Sequence, residues 1–295
     1  MSRRSLEEHR YSLGEIQEIM NSMKTLAYME TRKLTRFLDA QQQVVKSIEH
    51  AAADLLHFYP DILPDSEDMP TVCLLIGSER GFCGDFNHAL LDRLKSEPQY
   101  AEVGVIAVGH KLCTLLDEDP RILLTLDGAG ITEEVTSLLN HLVNELSQLQ
   151  QTHGPMSLVC LHHETPELIR EQRLLPPFHN LAVLSEEQVR TFSHPPLLHQ
   201  PPRELLAELT EYYLFAVLFE MLYISLMAEN HHRVAHLEGA VRHLEDEEAE
   251  LTRACNVLRQ EEITEEIEVI LLGAENLGGP TINTASQRKP DQTNK

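Results

Sequence analysis

Tryptophan is absent from this chain of 295 residues, and aromatic residues make up only 5% of it. So few large rings argue against a thick aromatic core and suit narrow seams between helices. Positive charge is also scarce: 24 basic against 47 acidic residues leave a net charge of −23. Nucleic acid and anionic membrane surfaces repel such a chain, so neither is expected as its main partner. Cysteine is limited to Cys73, Cys83, Cys113, Cys160 and Cys255, an odd number at wide spacings with no C-x-x-C. That pattern points to buried reduced thiols in a cytosolic protein, not to a disulfide frame or a zinc site. No run approaches the roughly 18 apolar residues of a membrane span, and Met1–Glu8 has no signal-peptide core. Membrane association is expected only through a partner.

What is present is a pair of long helical patterns at the two ends. From Ile16 the series Ile16, Met20, Met23, Ala27, Glu30, Leu34, Phe37, Gln41, Val44, Ile48, Ala51, Leu55 is apolar at ten of twelve places. This is a heptad seam, and no Pro interrupts it before Pro60. From Leu205 a second series runs through Leu209, Tyr212, Ala216, Phe219, Tyr223, Leu226, Asn230, Arg233, Leu237, Ala240, Leu244, Glu247, Leu251, Ala254 and Leu258. It skips one place, then resumes at Ile263, Ile267, Ile270 and Ala274. Paired antiparallel, the two helices bury both stripes. Periodicity alone fits a plain coiled-coil spacer equally well.

The middle changes period. Val72–Ile76, Val103–Val108, Ile122–Leu126 and Met156–Leu161 are short apolar runs, and Leu181–Leu184 reads as a fifth. Helix-like segments fall between them at 86–97, 110–117, 132–151 and 165–172. Buried strands alternating with helices predict an inserted Rossmann-like α/β domain with a mostly parallel sheet. The expected organisation is a helix over 1–60, an α/β domain over 70–195, a second helix over 203–277 and a disordered tail over 278–295.

The turn after the first strand, Gly77 to Asn87, is Gly-rich but no phosphate loop. It lacks G-x-x-x-x-G-K-[ST], and Asp85 follows the last glycine, where its charge would repel a phosphate. Gly81 and Gly84 are expected to serve a tight turn. Glu229, His232, His236 and His243 share one helical face. An exposed polar face is the simpler reading of that set, with zinc binding the alternative.

Four blocks, in order, resemble the gamma subunit of F-type ATP synthases. Met23-Lys24 with Ala27 is similar to that family's A-M-K-x-V-A. Ser78 to Asn87 resembles S-D-R-G-L-C-G-x-F-N. Ser225 to Arg233 resembles S-L-x-S-E-x-A-A-R. Asn256, Arg259-Gln260, Ile263-Thr264, Glu266 and Gly273-Ala274 match the family's C-terminal signature. Departures are Ser22 for Ala, His231-His232 for the Ala-Ala pair, and Val269 where the family has an acid.

The resemblance implies a non-catalytic rotor shaft. It would transmit torque between an ion-driven c ring and a head of three alpha and three beta subunits, with epsilon beside its foot, at the cytoplasmic face of the bacterial inner membrane. No cofactor or metal is implied. Arg259, Gln260, Thr264, Glu266, Met23 and Lys24 would face the beta subunit, with Arg32, Lys33 and Arg36 available on later turns. A coiled-coil adaptor with a degenerate α/β domain, or a nucleotide-dependent enzyme, would be the other classes. The charge is uneven: Met1–Tyr59 carries eight basic and eight acidic residues, while Arg203–Leu277 carries five and seventeen, 5 − 17 = −12. Most of those acids read as a solvated helix face.

Overall fold

The computed structural model describes residues 2–63, 69–178 and 194–277. Within them run α1 (Arg3–Phe58), β1 (Thr71–Ile76), α2 (Phe86–Ser96), β2 (Gly104–Val108), α3 (His110–Leu115), β3 (Ile122–Leu126), α4 (Val135–His153), β4 (Ser157–His163), β5 (Ile169–Leu175) and α5 (Pro202–Leu277). The chain divides into two compact units, one made of residues 1–18 with the C-terminal segment from Arg242, the other Ile19–Val241. The expected strand at Leu181–Leu184 and the expected tail lie outside the described residues.

Helix α1 runs for 56 residues and α5 for 76. The first ends just before Tyr59-Pro60, where proline disfavours a helical predecessor. The second begins on Pro202, whose missing N–H costs nothing in a first turn. One window of α5 is apolar enough to cross a membrane by composition, yet 56% of it is buried inside the protein. A core helix passes the same test.

In the larger unit the five strands lie in the order β3-β2-β1-β4-β5. β1 is parallel to β2 and β4, and β2 to β3. These strands are almost wholly apolar because helices cover both faces. Cys73, Leu75, Val105, Ala107, Val159 and Leu161 face α2 and α3, whose Phe86, Leu90, Leu94 and Leu112 close one core. Leu74, Ile76, Ile106, Leu158 and Cys160 face the other way, onto α4 and onto Leu34, Ala52 and Leu55 of α1 and Val217, Leu218 and Leu222 of α5. The sheet is therefore not a separate body; it shares its larger core with the two long helices.

The helix expected over 165–172 is a strand. β5 pairs antiparallel with β4, His162 opposite Arg170 and Leu161 opposite Glu171. A turn at Thr165-Pro166-Glu167, closed by Glu164 N–H to Leu168 O at 2.9 Å, reverses the chain. Pairing with an open sheet edge overrides the helix preference of Glu, Gln, Arg and Leu.

The α1 seam is half right. Ala27, Leu34, Gln41, Ile48 and Leu55 do face inward, but Phe37 and Val44 are exposed. Thr31, Leu38, Val45 and Ala52 take the second row, one residue on from the expected 30, 37, 44 and 51. The sheet and α4 also claim this side of α1, which rotates its buried stripe toward them.

In the smaller unit the helices are antiparallel: Arg3 reaches Glu262 at 3.3 Å and Gln17 reaches Glu245 at 3.2 Å. Leu6, Leu13 and Cys255 are buried there. Glu262 lies opposite Arg3 of α1, and among the described residues no helix packs on the later turns. Ile263, Ile267 and Ile270 are accordingly 46%, 52% and 69% exposed. The resumed apolar series is a bare tip, not a continued seam.

Candidate functional site

Two blocks almost 150 residues apart meet within the larger unit. Arg233 of α5 donates through Nε to the carbonyl of Gly81 at 3.1 Å and through Nη1 to Asn230 Oδ1 at 2.8 Å. Its Nη2 donates to Glu229 Oε1 and to Cys83 Sγ, the latter at 3.2 Å. Glu229 in turn accepts from the backbone N–H groups of Glu79 and Arg80, both at 3.3 Å. One turn earlier, Ser225 Oγ donates to the carbonyl of Ile76 at 3.3 Å. Ser225, Glu229, Asn230 and Arg233 are all at least 95% buried. This is a polar clamp that fastens the β1–α2 loop to α5.

The loop is itself braced. Ser78 N–H donates to Asn87 Oδ1 and Asn87 Nδ2 to Ser78 Oγ, both at 2.9 Å. Glu79 accepts from the N–H groups of His110 at 2.9 Å and Gly128 at 2.6 Å, tying the ends of β2 and β3 to the same loop. Gly84 sits at φ +57°, in the left-handed region that glycine enters without strain. Gly81 does not; Phe82 takes the second left-handed place at φ 64°. The contribution of Gly81 is its carbonyl, which receives Arg233.

Burial raises the Glu229 carboxyl above its ordinary value, against the opposing pull of Arg233 and two N–H groups. Burial also pushes the Cys83 thiol up to about 12, with the Glu229 charge adding to it. Cys83 is thus a neutral thiol that donates to Arg80 O at 3.3 Å. It is a packing element, not a nucleophile. The loop N–H groups that a phosphate would seek are already occupied by Glu229.

A second attachment holds α1. Glu30 accepts from Thr132 N–H at 3.1 Å and Thr132 Oγ1 at 2.8 Å. Lys33 bridges Glu30 at 2.8 Å and Glu133 at 3.1 Å. Lysine 33 therefore serves the body of the protein and is not held out for a partner. The Thr132 and Lys33 hydrogen bonds hold the Glu30 carboxyl below the usual value, outweighing its burial. Glu30→Ala is expected to cost about 1 kcal/mol or somewhat more, since two Thr132 hydrogen bonds and the Lys33 pair to a charged acceptor are lost at a mostly covered site. Urea unfolding checks this; an unchanged midpoint would remove the attachment.

The other expected site residues are dispersed. Met23 and Lys24 are half-buried on α1. Arg259, Gln260, Thr264 and Glu266 are exposed on the last turns of α5, in the smaller unit, and Thr264 Oγ1 donates back to Gln260 O at 2.8 Å. The shared face at 229–243 is not exposed throughout: Glu229 is buried in the clamp, His232 is half-buried, and His236 and His243 are exposed. Among the described residues no group of three side chains could hold a metal ion. Sequence reasoning missed Glu30, Thr132, His162 and His163.

A family model described as ATP synthase matches residues 2–277. The gamma chain of ATP synthase from Caldanaerobacter subterraneus is 22% identical, over 93% of this chain and 99% of that protein. That of Clostridium perfringens is 24% identical, over 90% and 94%. A solved chain of the Euglena gracilis mitochondrial ATP synthase, in the structure of its OSCP, F1 and c-ring, aligns with a TM-score of 0.63 at 15% identity, over 97% of this chain and 99% of that one. Another from the rotor of the same enzyme gives 0.59 over 88% and 98%. With the two sequence blocks joined in one clamp and the match running almost end to end, this chain belongs to the ATP synthase gamma family.

Proposed function

We propose that this chain is the central shaft of a rotary F-type ATP synthase, carrying torque between an ion-driven c ring and a head of three alpha and three beta subunits. The clamp carries the reading. A rotor must pass twist from a body at one end to a helix at the other, and buried, directional hydrogen bonds resist the slip that apolar packing permits. The sheet layer is read as a Rossmann-like foot set against epsilon and the c ring, and the long helices as a coiled coil entering the head. ATP chemistry belongs to beta; this chain supplies mechanical asymmetry. It sits peripherally at the cytoplasmic face of the bacterial inner membrane, held there by its partners.

The bare tip of α5 suits the head end. Its exposed Ile263, Ile267 and Ile270 offer apolar contact, and Arg259 and Gln260 offer forked donors to a beta-subunit loop. Thr264 and Glu266 lie beside them, and Met23 and Lys24 of α1 are assigned to the same beta-subunit contact.

Co-expression with alpha and beta subunits tests the assignment. A stoichiometric complex is expected; a chain that stays alone would favour a coiled-coil adaptor. Within the complex, Arg259→Ala combined with Gln260→Ala is expected to reduce ATP-driven ion pumping several-fold while the isolated chain unfolds at its usual temperature. Full pumping by the double variant would remove these two residues from the contact.

A further inference from the structure

Three rings from three elements meet beside the clamp. Phe86, the first residue of α2, stacks on His163 of β4 with centroids 3.8 Å apart. His232 of α5 meets both edge-on, at 5.5 Å from Phe86 and 5.8 Å from His163. The imidazoles are also pinned to backbone carbonyls: His163 Nε2 lies 2.9 Å from Phe86 O, and His232 Nε2 lies 2.6 Å from Pro166 O in the β4–β5 turn. A carbonyl only accepts, so each Nε2 carries the proton and donates it. His163 Nδ1 is then a bare lone pair, buried and without a partner.

We propose that the Phe86–His163–His232 stack is an acid-opened latch between the shaft helix and the sheet. With both imidazoles neutral it holds the β4–β5 turn and α2 against α5. A proton added at His163 Nδ1 releases it.

The surroundings leave that proton no counter-charge. On β4, His162 is adjacent. On β5, Arg170 is a cation opposite His162, and the nearby Glu164 is already bonded to it at 2.6 Å. On α5, His232 adds a second positive charge when protonated, and Glu229 is committed to Arg233. From α2 and the turn come only the carbonyls of Phe86, Thr165 and Pro166. An imidazolium in this position is buried without a counter-charge; the carbonyls favour it but do not outweigh burial, and opening to water is its way out. Burial and His232 both hold the His163 imidazole below its ordinary value, which places the opening on the acid side of neutrality.

The latch is local, so it is read locally. Hydrogen exchange of the full-length chain is followed at pH 7.5, 6.5 and 5.5, with rates normalised for the intrinsic pH dependence. Segments 163–170 and 228–236 are compared with the core strands 71–76 and 104–108. We expect the latch segments to exchange by a local opening, from lower starting protection than the core strands, and to lose protection on acidification at a rate approaching tenfold per pH unit for a single proton. His163→Gln, which keeps an N–H donor but has no proton to gain, is expected to abolish that loss. His232→Gln is the second arm if the first variant does not fold: with that like charge gone His163 takes up its proton more readily in the closed latch, so the loss should be smaller and level off at higher pH. Latch segments protected as strongly as the core strands at every pH, or a wild-type profile in whichever variants fold, overturns the latch. The readout needs no partner subunit, so it stands whether or not the rotor assignment holds.

Discussion

Arg233→Ala is expected to lower the unfolding free energy by about 3–5 kcal/mol, the loss that follows when one partner of a buried ion pair is removed. The variant strips Glu229 of its only cation among the described residues while leaving the carboxylate 98% buried in the protein. It also removes the guanidinium donors to Gly81 O, Asn230 Oδ1 and Cys83 Sγ. Lysine cannot substitute, because one ammonium cannot span acceptors placed around a planar fork; Arg233→Lys should lose nearly as much. The informative comparison is Glu229→Leu with Arg233→Met. That double variant removes both charges and keeps apolar volume, so its loss should be smaller than that of Arg233→Ala. Urea unfolding of the three proteins measures this. A loss under about 1 kcal/mol for Arg233→Ala would mean that the pair is hydrated and no clamp exists.

The mechanical consequence depends on there being two attachments. A body fastened to one helix at one point can pivot about it. Here the β1–α2 loop grips α5 through Glu229 and Arg233, while Thr132, ahead of α4, grips α1 through Glu30. Gln41 adds a direct tie between the helices, its Nε2 donating to Ala216 O at 3.0 Å. Twist entering the sheet then reaches both helices together.

Much of this was legible in the chain, and the breaks in its apolar pattern were the most telling places. Glu30 and Gln41 interrupt the α1 series, and in the larger unit Asn230 and Arg233 interrupt that of α5. Each proves to be a polar tie at a buried face. The four parallel strands and the two long helices were readable because buried apolar runs and heptads are strong local signals. β5 was not, since Ile169–Leu175 is strand only by virtue of the β4 edge beside it. Nor was the phase of the α1 seam, which shifts by one residue because the sheet and α4 compete with α5 for the same helix. The bare tip required knowing where α1 begins relative to Glu262. Likewise Thr132, His162 and His163 carry no motif; only the folded chain brings them to their partners.

His162 yields the second large effect, in the acid range. It is 1% exposed, its Nδ1 has no partner, and burial, helped by Arg170 and His163, brings its imidazole down to about 4 from the ordinary 6.5. The folded chain thus keeps His162 neutral where the unfolded chain already binds a proton. Stability is fully present above pH 6.5 and falls as the pH drops, because each proton taken up favours the unfolded state. Below about pH 4 the folded state binds the proton too and the loss levels off. Over that window the loss is about 3 kcal/mol, at up to about 1.4 kcal/mol per pH unit. His162→Leu fills the site with an apolar side chain that cannot titrate. Unfolding free energies of the two proteins should run together above pH 6.5, then separate steadily toward pH 4, with the variant the more stable. Carboxylates that titrate in the same range affect both proteins alike, so the difference isolates His162. Parallel curves down to pH 4 would mean that His162 reaches water in the folded chain and takes up its proton there.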